Sequence, residues 1–137
     1  MKIRWNVRSI RFRITPTELK ALAEGLPVAE EIIFPGGTLW TVALEPSNSE
    51  TALQSSCSAV TARISNLDIA HLAETDMEGL YYNAPGSDGI SYSIEKDFPC
   101  AHPRASDGNE ASAETFSPPA GFEQRKNCLI IGLPSDC

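Results

Sequence analysis

A chain of 137 residues with 42% hydrophobic content is long enough for one domain, or for two half-domains that share a core. No apolar run approaches the length of a membrane span, and the basic start Met1–Val7 leads into no apolar signal segment, so a cytoplasmic protein is expected. The net charge of −7 argues against general nucleic-acid binding, and nucleic acid is not an expected partner.

That charge is uneven. Lys2, Arg4, Arg8, Arg11, Arg13 and Lys20 all fall within the first twenty residues, against Glu18 alone. Lys2–Trp5 is a strand candidate, and Asn6–Ser9 either turns it into a second strand or bulges it. Ile10, Phe12 and Ile14 alternate with Arg11 and Arg13, the period of a half-buried strand. A helix start follows. Thr15 is the N-cap, Pro16 takes the first helical position, and Glu18 completes a capping box. Ile14 and Leu19 form the hydrophobic staple, and Gly25 supplies the stop.

Val28–Phe34 reads as a strand that turns at Pro35-Gly36-Gly37 into a returning strand, Thr38–Leu44, which Pro46 ends. Ser47–Ser56 is polar and ambiguous, with Ser49–Leu53 suggesting one helical turn. Ala59–Ile64 is the next strand and Asn66–Glu74 the next helix, with Ser65 as cap and Asp68 in a weaker box. Glu78–Tyr82 and Ile90–Lys96 then make a hairpin across the loop Asn83–Gly89.

The segment Ile10–Glu24 is echoed fifty residues later by Val60–Glu74, with five of fifteen positions identical. Arg13/Arg63 and Ile14/Ile64 are two of these. The order strand, helix, strand, strand recurs around both copies. The expected fold is α+β: a mainly antiparallel sheet or small barrel from two repeated β-α-β-β units, 1–46 and 58–98, forming a single domain over 1–98. From Pro99 the composition shifts to Pro, Ser, Ala, Gly and acid, so 99–137 reads as an extended C-terminal arm, with Phe116 and Phe122 as candidate anchors. Within it, Cys128–Leu133 is a short apolar run suited to an extra strand, a docked tail or a contact with another chain.

Cys57, Cys100, Cys128 and Cys137 lack CxxC spacing and are expected to be reduced thiols rather than a disulfide framework or a zinc site. No cofactor or metal is implied. No Gly-x-Ser-x-Gly, paired metal-ligand motif or phosphate-binding glycine loop occurs.

The pieces MKIR, SIRFRIT, ALEP, GLYY and ISYSIEKDFPC together resemble a family of short uncharacterised bacterial proteins, a domain of unknown function. Its members begin with an MKIR strand, pass an Asn-Ser turn into an IRLRLT-like strand, and end in an IEKDF-Cys segment. The resemblance spans Met1–Arg104, with a fainter echo at Glu114–Pro118. Val7-Arg8 stands where that family has Gly-Asn, and the resemblance implies no activity. A second likeness, over Lys2–Leu22, is to swapped-hairpin transcription factors and antitoxins.

Glu95, Lys96 and Asp97 form the one dense charged cluster at a strand end. Acid–base chemistry and cross-strand pairing with arginines are the competing readings, and the absence of an accompanying histidine or nucleophile favours pairing. Arg13 and Arg63 are the charged pair common to both copies. With Arg11 and Lys96 they are the candidate anion-binding residues, because the arginine fork suits phosphate or carboxylate. The expectation is a non-enzymatic binding or protein-interaction module with an anion site, its partner a protein, a small anion or a second copy in a homodimer. The rivals are a DNA-binding antitoxin-like regulator and an enzyme acting on a phosphorylated small molecule.

Overall fold

The computed structural model describes residues 1–86, 89–99 and 114–120. The order of elements is β1 (Lys2–Asn6), β2 (Ser9–Ile14), α1 (Pro16–Ala23), β3 (Val28–Ile33), β4 (Leu39–Ser47), β5 (Ala52–Ser55), β6 (Ala59–Ser65), α2 (Asn66–Glu74), β7 (Gly79–Asn83) and β8 (Ser91–Lys96).

The strands form two four-stranded sheets, mostly antiparallel and not closed into a barrel. The first has the order β1-β2-β8-β7 and the second β3-β4-β6-β5. Each sheet therefore takes one hairpin from each half of the chain, joined through a central parallel ladder, β2 with β8 and β4 with β6. The two ladders correspond residue for residue at a spacing of fifty: Arg13 faces Glu95 and Arg63 faces Glu45, Ile14 faces Lys96 and Ile64 faces Pro46.

Two local expectations are corrected. Residues 49–53 do not form a helical turn; Ala52–Ser55 is β5, antiparallel to β6. Leu53 is half-buried there and packs against the core, which offsets the weak strand composition around it. Pro46 does not end its strand either, since β4 runs to Ser47. The β3 ladder stops at the Val28–Leu44 pair, so Pro46 sits where one side of the strand is unpaired and its missing N–H breaks no ladder bond there. Asn6 and Ser9 pair directly, so β1 and β2 form a hairpin despite Val7-Arg8, and the Asn6 side chain accepts the Arg8 N–H at 2.8 Å.

Both helix starts follow the expected chemistry. Glu18 N–H donates to Thr15 Oγ1 at 3.3 Å, and Thr15 N–H donates to Glu18 Oε2 at 2.8 Å. Asp68 N–H donates to Ser65 Oγ at 3.1 Å. The staples Ile14/Leu19 and Ile64/Ile69 are buried. Gly25, at φ 82°, ends α1 in the left-handed conformation that glycine adopts without a Cβ penalty.

One core lies between the sheets. Phe12, Ile14, Leu80, Tyr92 and Ile94 come from the first sheet, and Val42, Leu44, Ala62 and Ile64 from the second. Leu19, Leu22, Ile69 and Leu72 come from the helices, which also pack against each other. Phe116 packs against this core, its N–H donating to Asp97 O at 2.9 Å and its ring 6.1 Å from Phe98. Phe122, Cys100, Cys128, Cys137 and the run 128–133 lie outside the described residues. Among the described residues no helix is long and apolar enough to cross a membrane.

Candidate anion-binding face

Strand alternation sends Phe12, Ile94 and Leu80 into the core and the residues between them outward. Across the outer face of the first sheet this builds three rungs: Lys2–Arg13–Glu95–Gly79, Arg4–Arg11–Ser93–Tyr81 and Asn6–Ser9–Ser91–Asn83. A groove of about 350 Å³ runs over β8, with Ser91 and Ser93 beneath it, Arg11 and Tyr81 along its sides, and Glu95 among its lining residues. Tyr81 is 66% exposed. Desolvation, then the nearby Glu95 and Glu78 carboxylates, hold its phenol above the ordinary tyrosine value.

Glu95 is the hub of this face. Arg11 Nε lies 3.1 Å and Arg13 Nε 3.9 Å from its carboxylate, and Ser93 Oγ donates to it at 2.9 Å. Opposite Glu95, Gly79 leaves the room its side chain needs: a Cβ there would stand 2.8 Å from Glu95 Cγ. Lys2 Nζ lies 3.0 Å from Asp97 Oδ2, an ion pair whose angle does not make a directed hydrogen bond to that buried oxygen. Arg4 and Arg8 make no ion pair among the described residues.

The sheet thus brings Arg11, Arg13 and Glu95 together, with Asp97 nearby through Lys2. It does not bring Arg63 or Lys96 to them. Arg63 is on the second sheet, 3.7 Å from Glu45. Lys96, of opposite strand parity to Glu95, donates to Thr75 O at 2.7 Å and lies 5.6 Å from the centroid of the Phe116 ring. Desolvation lowers its pKa, against the pull of Asp76. Arg4, Ser93 and Tyr81 were not singled out by the sequence. The Arg4–Arg11 pair follows from a two-residue hairpin link, but nothing local announces that β8 will lie between β2 and β7 and so put Tyr81 on the rung of Arg11.

The second sheet offers an internal comparison. Its ladders place Ala52, Arg63 and Glu45 where the first has Lys2, Arg13 and Glu95, and Gln54, Thr61, Ala43 and Ala29 where the first has Arg4, Arg11, Ser93 and Tyr81. The Arg–Glu pair is common to both sheets. The remaining cations and the tyrosine are not.

A larger groove, of about 720 Å³, opens at the start of α2. Thr51, Ser65, Asp68 and Tyr82 in its lining are engaged in capping and the bonds that support it. Ser65 N–H donates to Thr51 Oγ1 at 2.9 Å, and the Thr51 and Tyr82 hydroxyls both donate to Asp68. Burial pulls the Asp68 pKa up, but the hydrogen bonds from Thr51, Ser65 and Tyr82 outweigh it and hold the carboxyl below its usual value. Desolvation, together with the bond to Asp68, pushes Tyr82 up to about 12. At the corresponding place on α1 the Met1 ammonium donates to Glu18 and Glu30. His71 is exposed on α2, where its proximity adds to the lowering of the Asp68 pKa, and Cys57 is exposed. No group of three or more metal-ligating side chains occurs among the described residues.

Fold and face together describe a small α+β protein of two sheets, each combining a hairpin from either half of the chain, with more cations on the outer face of the first sheet than on that of the second. The chain belongs to the Family of unknown function (DUF7009), whose profile matches residues 1–119 and so takes in the segment at Phe116 as well as the body. No curated protein and no solved structure matches it.

Proposed function

We propose that the chain is a non-enzymatic binding module that holds an anion on the outer face of its first sheet, centred on Arg11 with Arg4 and Arg13 beside it. The observation that carries this reading is the contrast between the sheets. A sheet of this topology is satisfied with Gln54, Thr61 and Ala29, so Arg4 and Tyr81 answer no demand of the fold, and Arg11 none beyond its pairing with Glu95. The shared Arg13–Glu95 and Arg63–Glu45 pairs are read as structural. The fifty-residue correspondence of ladders, caps and ion pairs supports a further part of the same reading, that the halves are an internal repeat whose first sheet has diverged toward binding.

The test is thermal unfolding in phosphate or sulfate against chloride at constant ionic strength. Phosphate should raise Tm in the wild type and in Arg63→Ala, and not in Arg11→Thr. Equal shifts in all three proteins would leave these arginines as ordinary surface charge.

A second reading, a DNA-binding regulator, draws on the sheets that combine hairpins from both halves and on the basic β1–β2 hairpin, and predicts duplex binding that falls steeply with salt. Catalysis on a phosphorylated substrate draws less support, since no histidine or cysteine among the described residues lines the groove. A cytosolic location goes with the binding reading. Freshly prepared, denatured protein should then titrate close to four thiols, and finding two or none would point to an oxidising compartment or a bound metal.

A further inference from the structure

The rung Arg4–Arg11–Ser93–Tyr81 sets two cations and an exposed aromatic ring on one outer sheet face. Resting on the anion reading above, we infer that this face binds single-stranded nucleic acid, with phosphates on Arg4 and Arg11 and a base stacked on Tyr81.

Three features carry this choice of ligand. The cations are spread rather than convergent: outward residues on a strand are roughly 7 Å apart, so Lys2 and Arg4, like Arg13 and Arg11, offer successive positions to a repeating chain of phosphates. Glu95 already occupies one side of Arg11 and Arg13, whereas Arg4 and Arg8 make no ion pair among the described residues, so the available charge runs out along β1 beyond the groove. A single enclosed phosphate would need the opposite arrangement.

The second feature is Tyr81. A surface tyrosine flanked by a groove floored with serines gives a base a π-face to stack on and room for its sugar. An acidic peptide would use the cations but not the ring. In a duplex the bases are already stacked, and among the described residues this face carries no helix or projecting ribbon to enter a groove.

The third feature is the distribution of charge. The chain is acidic as a whole, yet Lys2, Arg4, Arg8, Arg11 and Arg13 belong to one hairpin, with Glu95 and Asp97 as the carboxylates paired to them. The remaining negative charge keeps other surfaces from competing for a polyanion.

The experiment is fluorescence anisotropy of a labelled oligothymidylate of about twelve nucleotides, a length within single-strand site sizes. Its duplex form and an oligoglutamate peptide are run as competitors. Binding should fall with salt at a log–log slope of about −1.4, as two phosphate contacts on a single strand require. The variant Arg4→Gln/Arg11→Thr, which installs the second sheet's residues, should bind at least about tenfold more weakly. Tyr81→Ala should weaken binding by a similar factor and Tyr81→Phe should restore it, since stacking needs the ring and not the hydroxyl. Arg63→Ala should bind as the wild type does, and Tm measured on every variant separates lost binding from lost folding.

Oligothymidylate binding unchanged in Arg4→Gln/Arg11→Thr, or duplex or oligoglutamate competing as well as the single strand, would overturn the inference. A phosphate-induced rise in Tm without oligonucleotide binding would overturn it and leave the anion site standing. Absence of both would remove the anion site too.

Discussion

Glu18 closes its capping box directly onto the Thr15 N–H, whereas Asp68, one methylene shorter, reaches the Ser65 N–H only through the Thr51 hydroxyl. The relay ties α2 to the segment before β5 and also receives the Tyr82 hydroxyl. Its pH signature follows from the depressed Asp68 pKa. A carboxyl held below its unfolded value stabilises the fold above that value, near 3.8, and loses the contribution as pH falls through the folded pKa. Thermal unfolding between pH 5 and 2 should therefore show a shallower acid loss in Asp68→Asn than in the wild type, and a slope unchanged by the substitution would show the relay to be without weight. Gly79 makes a different kind of demand. A Cβ would stand 2.8 Å from both Glu95 Cγ and the Ile94 carbonyl oxygen, so Gly79→Ala should cost about 1–3 kcal/mol in urea denaturation. Arg13→Ala and Arg63→Ala, which each remove a partly exposed ion pair, should each cost less than about 1 kcal/mol.

At the scale of elements, each helix hangs on one side-chain cap. Thr15→Ala removes the acceptor for the Glu18 N–H and should destabilise by about 1 kcal/mol, read as a lower urea midpoint with an unchanged slope. The caps, staples and alternating strands were legible because each is a local matter: Thr15 and Glu18 sit three residues apart, and Phe12 and Ile14 flank Arg13. β5 was not legible, since ALQS has neither strong alternation nor β-branched residues and becomes a strand only because β6 offers it an edge. The combination of hairpins from the two halves was not legible either. Period-2 patterning fixes which face of β2 is buried but says nothing of which strand lies beside it. For the same reason Arg13 and Arg63 stood out as a recurring pair, while the rung that distinguishes the two sheets needed β8 to be placed first.

At the scale of the molecule the two sheets meet through one core, and the two tryptophans sit one on each. Trp5 of β1 and Trp40 of β4 make an edge-to-face contact with centroids 5.5 Å apart. Tryptophan fluorescence therefore reports the joining of the sheets, whereas far-UV circular dichroism reports the strands and helices themselves. Because each sheet contains a hairpin from each half, neither can persist alone, and the two signals should change with one midpoint in urea. Separate midpoints would mean that one sheet survives the loss of the other.

The parallel ladder between β2 and β8 also dictates when the protein can fold. Ser9 must find Ser91, and Ile14 must find Lys96, so the second strand made during synthesis waits for the last one. Until Lys96 clears the ribosome, the inner edge of β2 in the β1–β2 hairpin stays unpaired, and the inner edge of β4 stays open until β6 emerges. Contacts of such long sequence separation slow the search for the native state, and the open edges invite pairing with another nascent chain. A chain released early, with the first half complete and the second missing, lacks the hairpins that complete both sheets, and a full-length copy is the nearest source of the missing strands.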